Sequence, residues 1–377
     1  MQLDRLVENI NANPVRLPLR SNVRSAAVRG LSAAGNLRRA RRALASSGDV
    51  IVLTLHRIVP DAELALCRSP RGMVLTESLF RHLINYLRQH THVVSPRQLS
   101  SPLPKSNLPR VLLTFDDGWV DNLQIAQPYL ASANIAACFF MVTALAGRVS
   151  PFWPEQLIVL LNTLHSAQRL DLFESMLNNL RTKATTPPAE LPLWDSPEPL
   201  LSWLKQFPAR AIRHAIDETL HRLGKTDTPH PNTPEDTRER LMTWDQLRLL
   251  LEAGHDIGSH ANTHELLPLL GQPQLIDELR TSRDLLLKNL PPLREKPLWL
   301  SYPNGASNET VTRAAAEIGY EHAFTASTGV WTSTSNPYLL PRINVWDGTL
   351  VDADGAFCEK HLEYSLYWRP IHARPLT

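Results

Sequence analysis

Short apolar segments alternate with amphipathic stretches along most of this 377-residue chain. Each apolar segment is short and rich in β-branched, aliphatic or aromatic residues, which is typical of a buried strand. Strands that alternate with helices pair in parallel, in a barrel or in a doubly wound sheet. In both architectures the active groups lie at the carboxyl ends of the strands. The predicted strands are 50–55, 111–115, 135–142, 255–259, 298–302, 322–325 and 341–345.

Capping residues mark two of the helices predicted between these strands. Thr243 and Gln246 form a capping-box pattern at the start of one helix, and Gly254 follows its end. Asn308 can cap a second helix, which is followed by Gly319. These signals support the alternation of helices and strands in the second half of the chain.

Residues 150–242 interrupt the alternation. They hold two amphipathic helical stretches that are separated and flanked by proline-rich loops. We therefore predict a helical insertion within a sheet domain that spans residues 50–350. A basic helical arm, residues 1–49, precedes this domain, and a tail, residues 351–377, follows it.

The charge and the cysteines exclude several classes of protein. The formal net charge of +2 gives no overall field that would draw the chain to nucleic acid. Cys67, Cys138 and Cys358 form no CxxC pair, which argues against a disulfide scaffold or a cysteine-built metal site. No apolar stretch reaches the roughly 18 residues of a membrane span. The N-terminus lacks the apolar segment of a secretory signal peptide, so we expect the chain to work on the cytoplasmic side.

The N-terminal arm is rich in arginine. Residues 1–50 hold nine arginines and three acidic residues. Leu3, Leu6, Val7 and Ile10 have the spacing of a short amphipathic helix. Such a helix can touch an anionic membrane surface peripherally, or it can be a solvated arm packed on the body of the protein. The second alternative is favoured because the apolar faces are short and small.

Two adjacent carboxylates follow the predicted strand 111–115. Asp116 and Asp117 repel each other there unless a cation, a proton or a helix N-terminus offsets their charge. Gly118 comes next, and Asp-Gly is also a common turn pair. The doublet alone leaves both a solvated turn and a ligand site open.

A pair of histidines follows the predicted strand 255–259. His260 and His264 have the spacing H-x-x-x-H, which on a helix puts both rings on one face and suits a shared metal ion. Because they follow a strand, they lie at the same edge of the sheet as Asp116 and Asp117. Imidazoles and a carboxylate are the ligands of a catalytic zinc with positions open for water. One aspartate can bind the ion, and the other can stay ionised beside it as a base.

These segments resemble the motifs of a known family. TFDDG (114–118) and GSHANTH (258–264) resemble the first two motifs of the polysaccharide deacetylase family, the NodB-homology domain of carbohydrate esterases. LSYPNG (300–305) resembles the third motif, which lines the substrate groove. LTLHRIV (53–59) and LPRINV (340–345) also look like segments of this family. The resemblance covers the sheet domain apart from the insertion, and it implies a distorted, incomplete (β/α)7 TIM-like barrel.

The resemblance also implies a chemistry. Asp117, His260 and His264 bind a divalent metal, usually Zn²⁺, with Co²⁺, Ni²⁺ or Mn²⁺ as alternatives. Asp116 is the general base that takes a proton from the metal-bound water, and the hydroxide attacks an acetamido carbonyl. The metal and a backbone N–H after the doublet stabilise the oxyanion. A general acid then protonates the leaving amine, and acetate is released.

The sequence departs from the family pattern in two respects. The third motif lacks the arginine that steadies the base, and Arg342, on the strand 341–345, either replaces it or forms a structural salt bridge. The late histidine that serves as acid has no clear counterpart, because His361 and His372 lie in a tail predicted to be irregular. His56 ends the first strand at the edge of the metal ligands, so it is the candidate acid or, alternatively, a structural histidine.

Four residues are candidates for contact with the substrate. Tyr302, Pro303 and Asn304 belong to the third motif, and Trp119 follows the aspartate doublet. The rings of Trp119 and Tyr302 can stack on the apolar face of a sugar. Packing at the rim is an equal alternative for Trp119.

The sequence thus predicts a metal-dependent hydrolase of carbon–nitrogen bonds. Its substrate is the N-acetyl group of an amino sugar in a polysaccharide, lipopolysaccharide or glycolipid precursor. A deformylase or an O-acetyl esterase on a related glycan is an alternative, because activated water attacks each carbonyl similarly. A glycan-binding or scaffold module with weakened catalysis is the second alternative. The free carboxylate beside the metal ligands argues against that module, since binding alone does not need it.

Overall fold

The computed structural model describes residues 20–95, 98–99, 106–149, 152–182, 197–224, 239–295 and 297–373. They belong to two compact units. The smaller unit includes Ala65–Pro70 and Arg148–Arg240, and the larger unit includes Val15–Leu64, Arg71–Gly147 and Leu241–Thr377. None of the described helices combines the length and the apolar character that crossing a membrane would require.

The larger unit is built on a parallel sheet with the strand order β10-β1-β5-β6-β7-β8-β9, and β4 pairs with the amino end of β5. β2 and β3 form a separate parallel pair. All seven predicted strands are present, one with the predicted bounds, 50–55, and six with slightly different bounds, whereas β2, β3 and β4 were not predicted. The strands are β1 (Val50–Leu55), β2 (Arg57–Val59), β3 (Val74–Thr76), β4 (His92–Val93), β5 (Arg110–Phe115), β6 (Cys138–Met141), β7 (Asp256–Ser259), β8 (Trp299–Ser301), β9 (His322–Phe324) and β10 (Ile343–Asn344).

The sheet curls so that its two edges approach each other. Phe324 of β9 forms an isolated parallel bridge with Leu340. Three residues later the chain enters β10, in which Ile343 pairs with Leu53 of β1. The segment 340–344 therefore runs along the seam between the first and the last strands. This is the distorted, incomplete (β/α)7 barrel that the sequence predicts.

Helices surround the sheet, and the predicted caps are confirmed. The N–H of Gln246 donates to Thr243 Oγ1, and the N–H of Thr243 donates to Gln246 Oε1. Asn308 Oδ1 accepts from the N–H of Val311 at 2.9 Å. The helices of the larger unit are α1 (Arg20–Ala33), α2 (Asn36–Ser47), α3 (Glu77–His90), α4 (Gln127–Ser132), α9 (Trp244–Glu252), α10 (Gln272–Asn289), α11 (Glu309–Ile318), α12 (Asp347–Leu350), α13 (Glu359–Glu363) and α14 (Arg369–His372).

The smaller unit has a helical core of its own. Each of the two predicted helical stretches is divided into two helices, and Pro208 separates the second pair because proline interrupts helical hydrogen bonding. The core includes Trp153, Phe173, Trp203 and Ile216. The helices are α5 (Trp153–Ser166), α6 (Leu170–Thr182), α7 (Pro197–Leu204) and α8 (Ala209–Arg222).

The C-terminal tail is helical over residues 359–372, so the prediction that His361 and His372 lie in irregular chain was wrong. His361 lies in α13 and His372 in α14, with a π-helical turn, Tyr364–Trp368, between them. The turn buries Leu366 and Tyr367 against the larger unit, which supplies the packing energy that short helices lack alone.

The described part of the N-terminal arm packs within the larger unit. α2 buries Leu37, Ala40 and Leu44. Arg24 of α1 donates to the carbonyl oxygen of Thr349 at 3.3 Å. Leu3, Leu6, Val7 and Ile10 lie outside the described residues, so peripheral membrane contact through them stays a prediction.

Candidate functional site

Polar side chains collect where the parallel strands end. Asp116 and Asp117 follow β5, His260 follows β7, and His56 follows β1. Because the strands are parallel, their carboxyl ends lie at one edge of the sheet. Asp116, Asp117 and His260 are each only 2% exposed. A buried cluster of this kind needs charge compensation.

Asp117, His260 and His264 bring three potential metal ligands together. One carboxylate oxygen or ring nitrogen from each residue lies within 4.8 Å of those of the other two. Asp117 Oδ1 is 3.4 Å from His260 Nε2 and 3.7 Å from His264 Nε2. Two ligands held about 2.1 Å from one ion at the tetrahedral angle are about 3.4 Å apart. The spacing therefore fits a cation of the size of zinc.

The hydrogen bonding of His260 supports the same conclusion. Its Nδ1 lies 2.8 Å from the carbonyl oxygen of Ser301, which can only accept, so Nδ1 carries the hydrogen. In the neutral ring, the lone pair of Nε2 then faces Asp117. When the neighbouring histidines carry a proton, their hydrogen bond and charge outweigh the effect of burial, which raises the pKa of Asp117, and lower this pKa to about 2. Two acceptors that face each other in a buried site are stabilised by a cation between them.

The two histidines meet through a strained loop, not on the helix face that the H-x-x-x-H spacing would also suit. Residues 260–266 are not helical. Ala261 and His264 have φ values of 60° and 64°, in the left-handed region that residues other than glycine rarely adopt. Such residues cost about 1–3 kcal/mol each and persist only where the surroundings enforce them. The loop therefore needs support from neighbouring groups.

Glu278 on α10 supplies this support. Its Oε1 accepts from the N–H of Asn262 at 2.9 Å and also from the N–H of Thr263. Thr263 Oγ1 donates to the same carboxylate at 3.0 Å. Burial raises the pKa of Glu278, although these hydrogen bonds lower it. This role could not be predicted from the sequence, because an acidic residue on an amphipathic helix carries no local signal.

Trp119 supports Asp117 and packs in the interior, so of its two predicted roles, a platform for a sugar is not the one it has. Its side chain is fully buried, and its Nε1 donates to Asp117 Oδ2 at 3.0 Å. The guanidinium carbon of Arg57 lies 4.0 Å from the centre of the Trp119 ring system. Arg57 is in turn paired with Asp121 at 2.6 Å. The indole N–H therefore fixes the oxygen of Asp117 that does not face the histidines.

Asp116 is held by Arg342 and Ser301. Arg342 Nη1 donates to Asp116 Oδ1 at 2.8 Å, and Nη2 donates to Oδ2 at 2.7 Å. Ser301 Oγ donates to Oδ2 at 3.0 Å and accepts from Arg342 Nη2 at 2.9 Å. Burial raises the pKa of Asp116, but Arg342 holds it well below its ordinary value. The ion pair expected for Arg342 is present, and its role in catalysis stays a proposal.

The backbone after the doublet forms a tight turn. The N–H of Gly118 donates to the carbonyl oxygen of Asp116 at 2.9 Å. Gly118 has a φ of 85°, and a Cβ added there would lie 2.2 Å from Met141 Sδ, so the turn requires glycine. The Gly118 N–H is therefore used within the turn, and the backbone oxyanion donor expected from the resemblance stays a prediction.

His56 is half-buried at the end of β1. Its Nδ1 is buried and makes no hydrogen bond with any residue of the described ranges. Burial lowers the pKa of His56, while Asp117 and Asp116 raise it. The ring is neutral at pH 7 and lies near enough to both carboxylates to respond to their charge. This position suits a group that exchanges protons at the same edge.

The third motif exposes one of its three candidate residues. Tyr302 is fully buried, and its hydroxyl donates to the carbonyl oxygen of Tyr338 at 3.1 Å, so the expected stacking on a sugar was wrong. Pro303 is buried, whereas Asn304 is exposed with a φ of 54°. The motif therefore presents Asn304 to solvent at the edge where the strands end.

Comparisons with known proteins agree with the motifs. A family model described as "Polysaccharide deacetylase" matches residues 195–323, which include both histidines and the third motif. The "Putative polysaccharide deacetylase YxkH" of Bacillus subtilis (strain 168) is 30% identical over 118 residues. That alignment covers 31% of this chain and 41% of the relative, so the chain matches less than half of the length of that protein.

Solved structures share the fold. The Streptococcus pyogenes deacetylase PplD, in complex with acetate, superposes with a TM-score of 0.51 and 16% identity, covering 84% of this chain and 98% of that one. The "putative polysaccharide deacetylase BA0330" from Bacillus anthracis gives a TM-score of 0.50 and 14% identity, covering 84% of this chain and 69% of that one. These likenesses confirm the incomplete barrel.

Proposed function

We propose that this chain, whose motifs, family match and fold confirm its resemblance to the polysaccharide deacetylases, removes the N-acetyl group from an amino sugar. The substrate is a polysaccharide, a lipopolysaccharide or a glycolipid precursor. The observation that carries the proposal is the buried pair of Asp116 and Arg342 next to the ligand set. A binding module has no need of a second ionised carboxylate beside a metal ligand.

Asp117, His260 and His264 would hold a divalent cation, for which Zn²⁺ suits the donor set and Co²⁺, Ni²⁺ or Mn²⁺ are alternatives. A cation held there supplies a Lewis acid that polarises a carbonyl and lowers the pKa of a coordinated water. His264 is the most exposed of the three side chains, at 17% against 2% for each of the other two. The ligand set is therefore reached from the side of His264.

We assign to Asp116 the removal of a proton from the attacking water. Arg342 and Ser301 donate to its two oxygens, and a carboxylate has further lone pairs to accept with. Arg342 keeps Asp116 ionised across the physiological pH range. A carboxylate with so low a pKa is a weak base, so it acts only on water that is already acidified. Its position beside the ligand set meets this condition.

We assign protonation of the leaving amine to His56. The ring is neutral before the reaction, so it must gain a proton before it can donate one. Burial lowers the pKa of His56 on balance, although Asp117 and Asp116 raise it, so its proton comes from the water that Asp116 deprotonates. The side chain of His56 is only half-buried, which leaves part of the ring exposed for the transfer.

Metal content and acetate release test this function on the wild type, Asp116→Asn and His264→Ala, with a panel of N-acetylated glycans. We expect about one metal per chain in the wild type and in Asp116→Asn, and much less in His264→Ala. Acetate is expected from the wild type alone. His214→Ala, which changes an exposed histidine of the smaller unit, is the matched control and should keep both properties.

The alternatives give different outcomes in the same experiment. Release of formate, or of acetate from O-acetyl groups alone, would support the assigned site but would show that the enzyme removes a different acyl group. Absence of metal from the wild type, even after loading with zinc or cobalt, would overturn the hydrolase and favour a glycan-binding module. Metal binding with full activity in Asp116→Asn would remove Asp116 from the mechanism.

A further inference from the structure

A basic cavity lies at the end of the sheet opposite the candidate active site. Its volume is ≈ 820 Å³, and it is lined by the end of α2 and by the segment that enters β5. Gly48, just before β1, and Arg110, the first residue of β5, both line it. Asp116 follows the other end of β5, about 20 Å away at the usual rise of a strand. The cavity is therefore separate from the deacetylase site.

Arginines dominate the lining of this cavity. Arg38, Arg41 and Arg42 come from α2, and Arg110 comes from β5. No aspartate or glutamate of the described ranges belongs to the lining. Arg38 and Arg42 are exposed, and neither forms an ion pair with a described residue. They lie four residues apart on one helix, where like charges repel each other.

The core does not require these arginines. α2 buries Leu37, Ala40 and Leu44 on its apolar face, and the side chains of Arg38 and Arg42 extend into solvent. An unfavourable charge pair that contributes nothing to packing is relieved when an anion binds between its members.

The other two arginines are already ordered. Arg41 Nη2 donates to the carbonyl oxygen of His90 at 3.1 Å, and Nη1 lies 3.8 Å from Glu363 Oε1. Arg110 Nη1 donates to the carbonyl oxygen of Gly48. Both guanidinium groups are thus held before any ligand arrives, which lowers the entropy cost of binding. Arg38 and Arg42 can then close on the ligand from solvent.

We propose that this cavity binds a phosphate or diphosphate group. The planar guanidinium group matches two phosphate oxygens with paired hydrogen bonds, and several such groups together favour a multiply charged anion. The cavity has room for more than one phosphate, so it can take a phosphate group that a larger molecule carries. A soluble phosphorylated compound and a phospholipid headgroup both carry this chemistry.

Calorimetric titration of the full chain with inorganic pyrophosphate at low salt tests the proposal. The pocket variant is Arg38→Gln/Arg42→Gln. The matched control is Arg29→Gln/Arg39→Gln, which removes the same charge from exposed helical arginines that do not line the cavity. Glutamine keeps the helix propensity of arginine, so both variants should fold. We expect the control to bind like the wild type and the pocket variant to bind at least about tenfold more weakly.

Vesicles distinguish the two sources of the phosphate. Cosedimentation of the wild type, but not of the pocket variant, with phosphatidylcholine vesicles that contain phosphatidic acid would identify a lipid headgroup. Pyrophosphate binding without cosedimentation would identify a soluble compound. The proposal is overturned if the wild type binds neither probe, or if the pocket and control variants weaken binding equally. Acetate release should be the same in all three proteins, since the cavity is remote from Asp116.

Discussion

Arg342 and Asp116 are 226 residues apart in the chain and meet in the interior through two parallel hydrogen bonds, at 2.8 and 2.7 Å. Their side chains are only 2% and 3% exposed. Arg342→Gln would leave a buried carboxylate without its partner. Breaking a buried ion pair in this way costs about 3–5 kcal/mol. We expect the free energy of unfolding of the variant at pH 7, measured by urea denaturation, to fall by about that amount.

The stability lost in Arg342→Gln depends on pH and is largest where Asp116 is ionised in both the folded and the unfolded chain. Because Arg342 holds the pKa of folded Asp116 below its unfolded value, the pair stabilises the protein above about pH 4. The contribution is lost as the pH falls through the folded pKa, so the wild type and the variant should converge in acid. Arg313→Gln, which removes the partner of the exposed Glu309, is the control and should change stability little. A loss of about 3–5 kcal/mol of unfolding free energy in Arg313→Gln, or no loss in Arg342→Gln, would contradict the stabilising role of the buried pair.

Trp119→Phe should weaken metal binding. The phenyl ring fills most of the buried space but lacks the N–H that donates to Asp117 Oδ2. Loss of a group that orients a metal ligand lowers affinity about 10–100-fold. The measurement is competition with a chromogenic chelator, with Trp368→Phe as the control for a tryptophan outside the site. Unchanged zinc affinity in Trp119→Phe would show that the hydrogen bond does not position Asp117.

Glu278→Ala should loosen the loop that carries both histidines. The N–H groups of Asn262 and Thr263 lose their acceptor, and a buried donor left unsatisfied costs about 1–3 kcal/mol. We expect lower stability and weaker zinc affinity together, measured by denaturation and by chelator competition. Asp277→Ala changes the exposed neighbour on the same helix and should alter neither property. Loss of stability with intact zinc affinity would limit Glu278 to a structural role.

His255 should make the protein sensitive to mild acid. Burial lowers its pKa to about 4, and its Nδ1 accepts from the N–H of Ala137 at 3.2 Å. The unfolded histidine, with a pKa near 6.5, binds protons first as the pH falls, so stability decreases between about pH 6.5 and 4. For this group the decrease from pH 7 to pH 5 is about 2 kcal/mol.

His255→Asn tests this effect, because asparagine offers an acceptor near the position of Nδ1 and does not titrate. In the presence of a chelator, the unfolding free energy of the variant should fall less between pH 7 and pH 5 than that of the wild type. Parallel pH dependence in the two proteins would assign the acid sensitivity to other groups.

The order of strands and helices along the chain could be predicted from local sequence signals. Apolar strands such as 50–55 and capping residues such as Thr243 and Asn308 act over a few residues, so the chain reveals them without its tertiary structure. The candidate metal ligands were also foreseen, because each belongs to a short motif at the end of a strand. Parallel pairing then brings such ends to one edge of the sheet.

The supporting residues could not be foreseen in the same way. Glu278 acts by accepting hydrogen bonds from the backbone of a loop. The positive φ values of this loop could not be predicted, because they fall on residues other than glycine. Trp119 and Tyr302 were expected at the surface, but their rings fill the core, since burial of a large apolar ring outweighs exposure at the rim. Which way a side chain turns at the end of a strand depends on neighbours that are distant in sequence.

The seam of the barrel sets an order of assembly during synthesis. Asp116, Asp117, His260 and His264 have all left the ribosome while Arg342 is still untranslated, since a chain is made from its N-terminus. A nascent chain that stops short of the segment 340–344 can gather the ligands, but the carboxylate beside them has no guanidinium partner. The segment 340–344 is the last part of the sheet to be synthesised, and it supplies the positive charge that balances Asp116. The ribosome-bound chain therefore lacks this ion pair until synthesis is nearly complete.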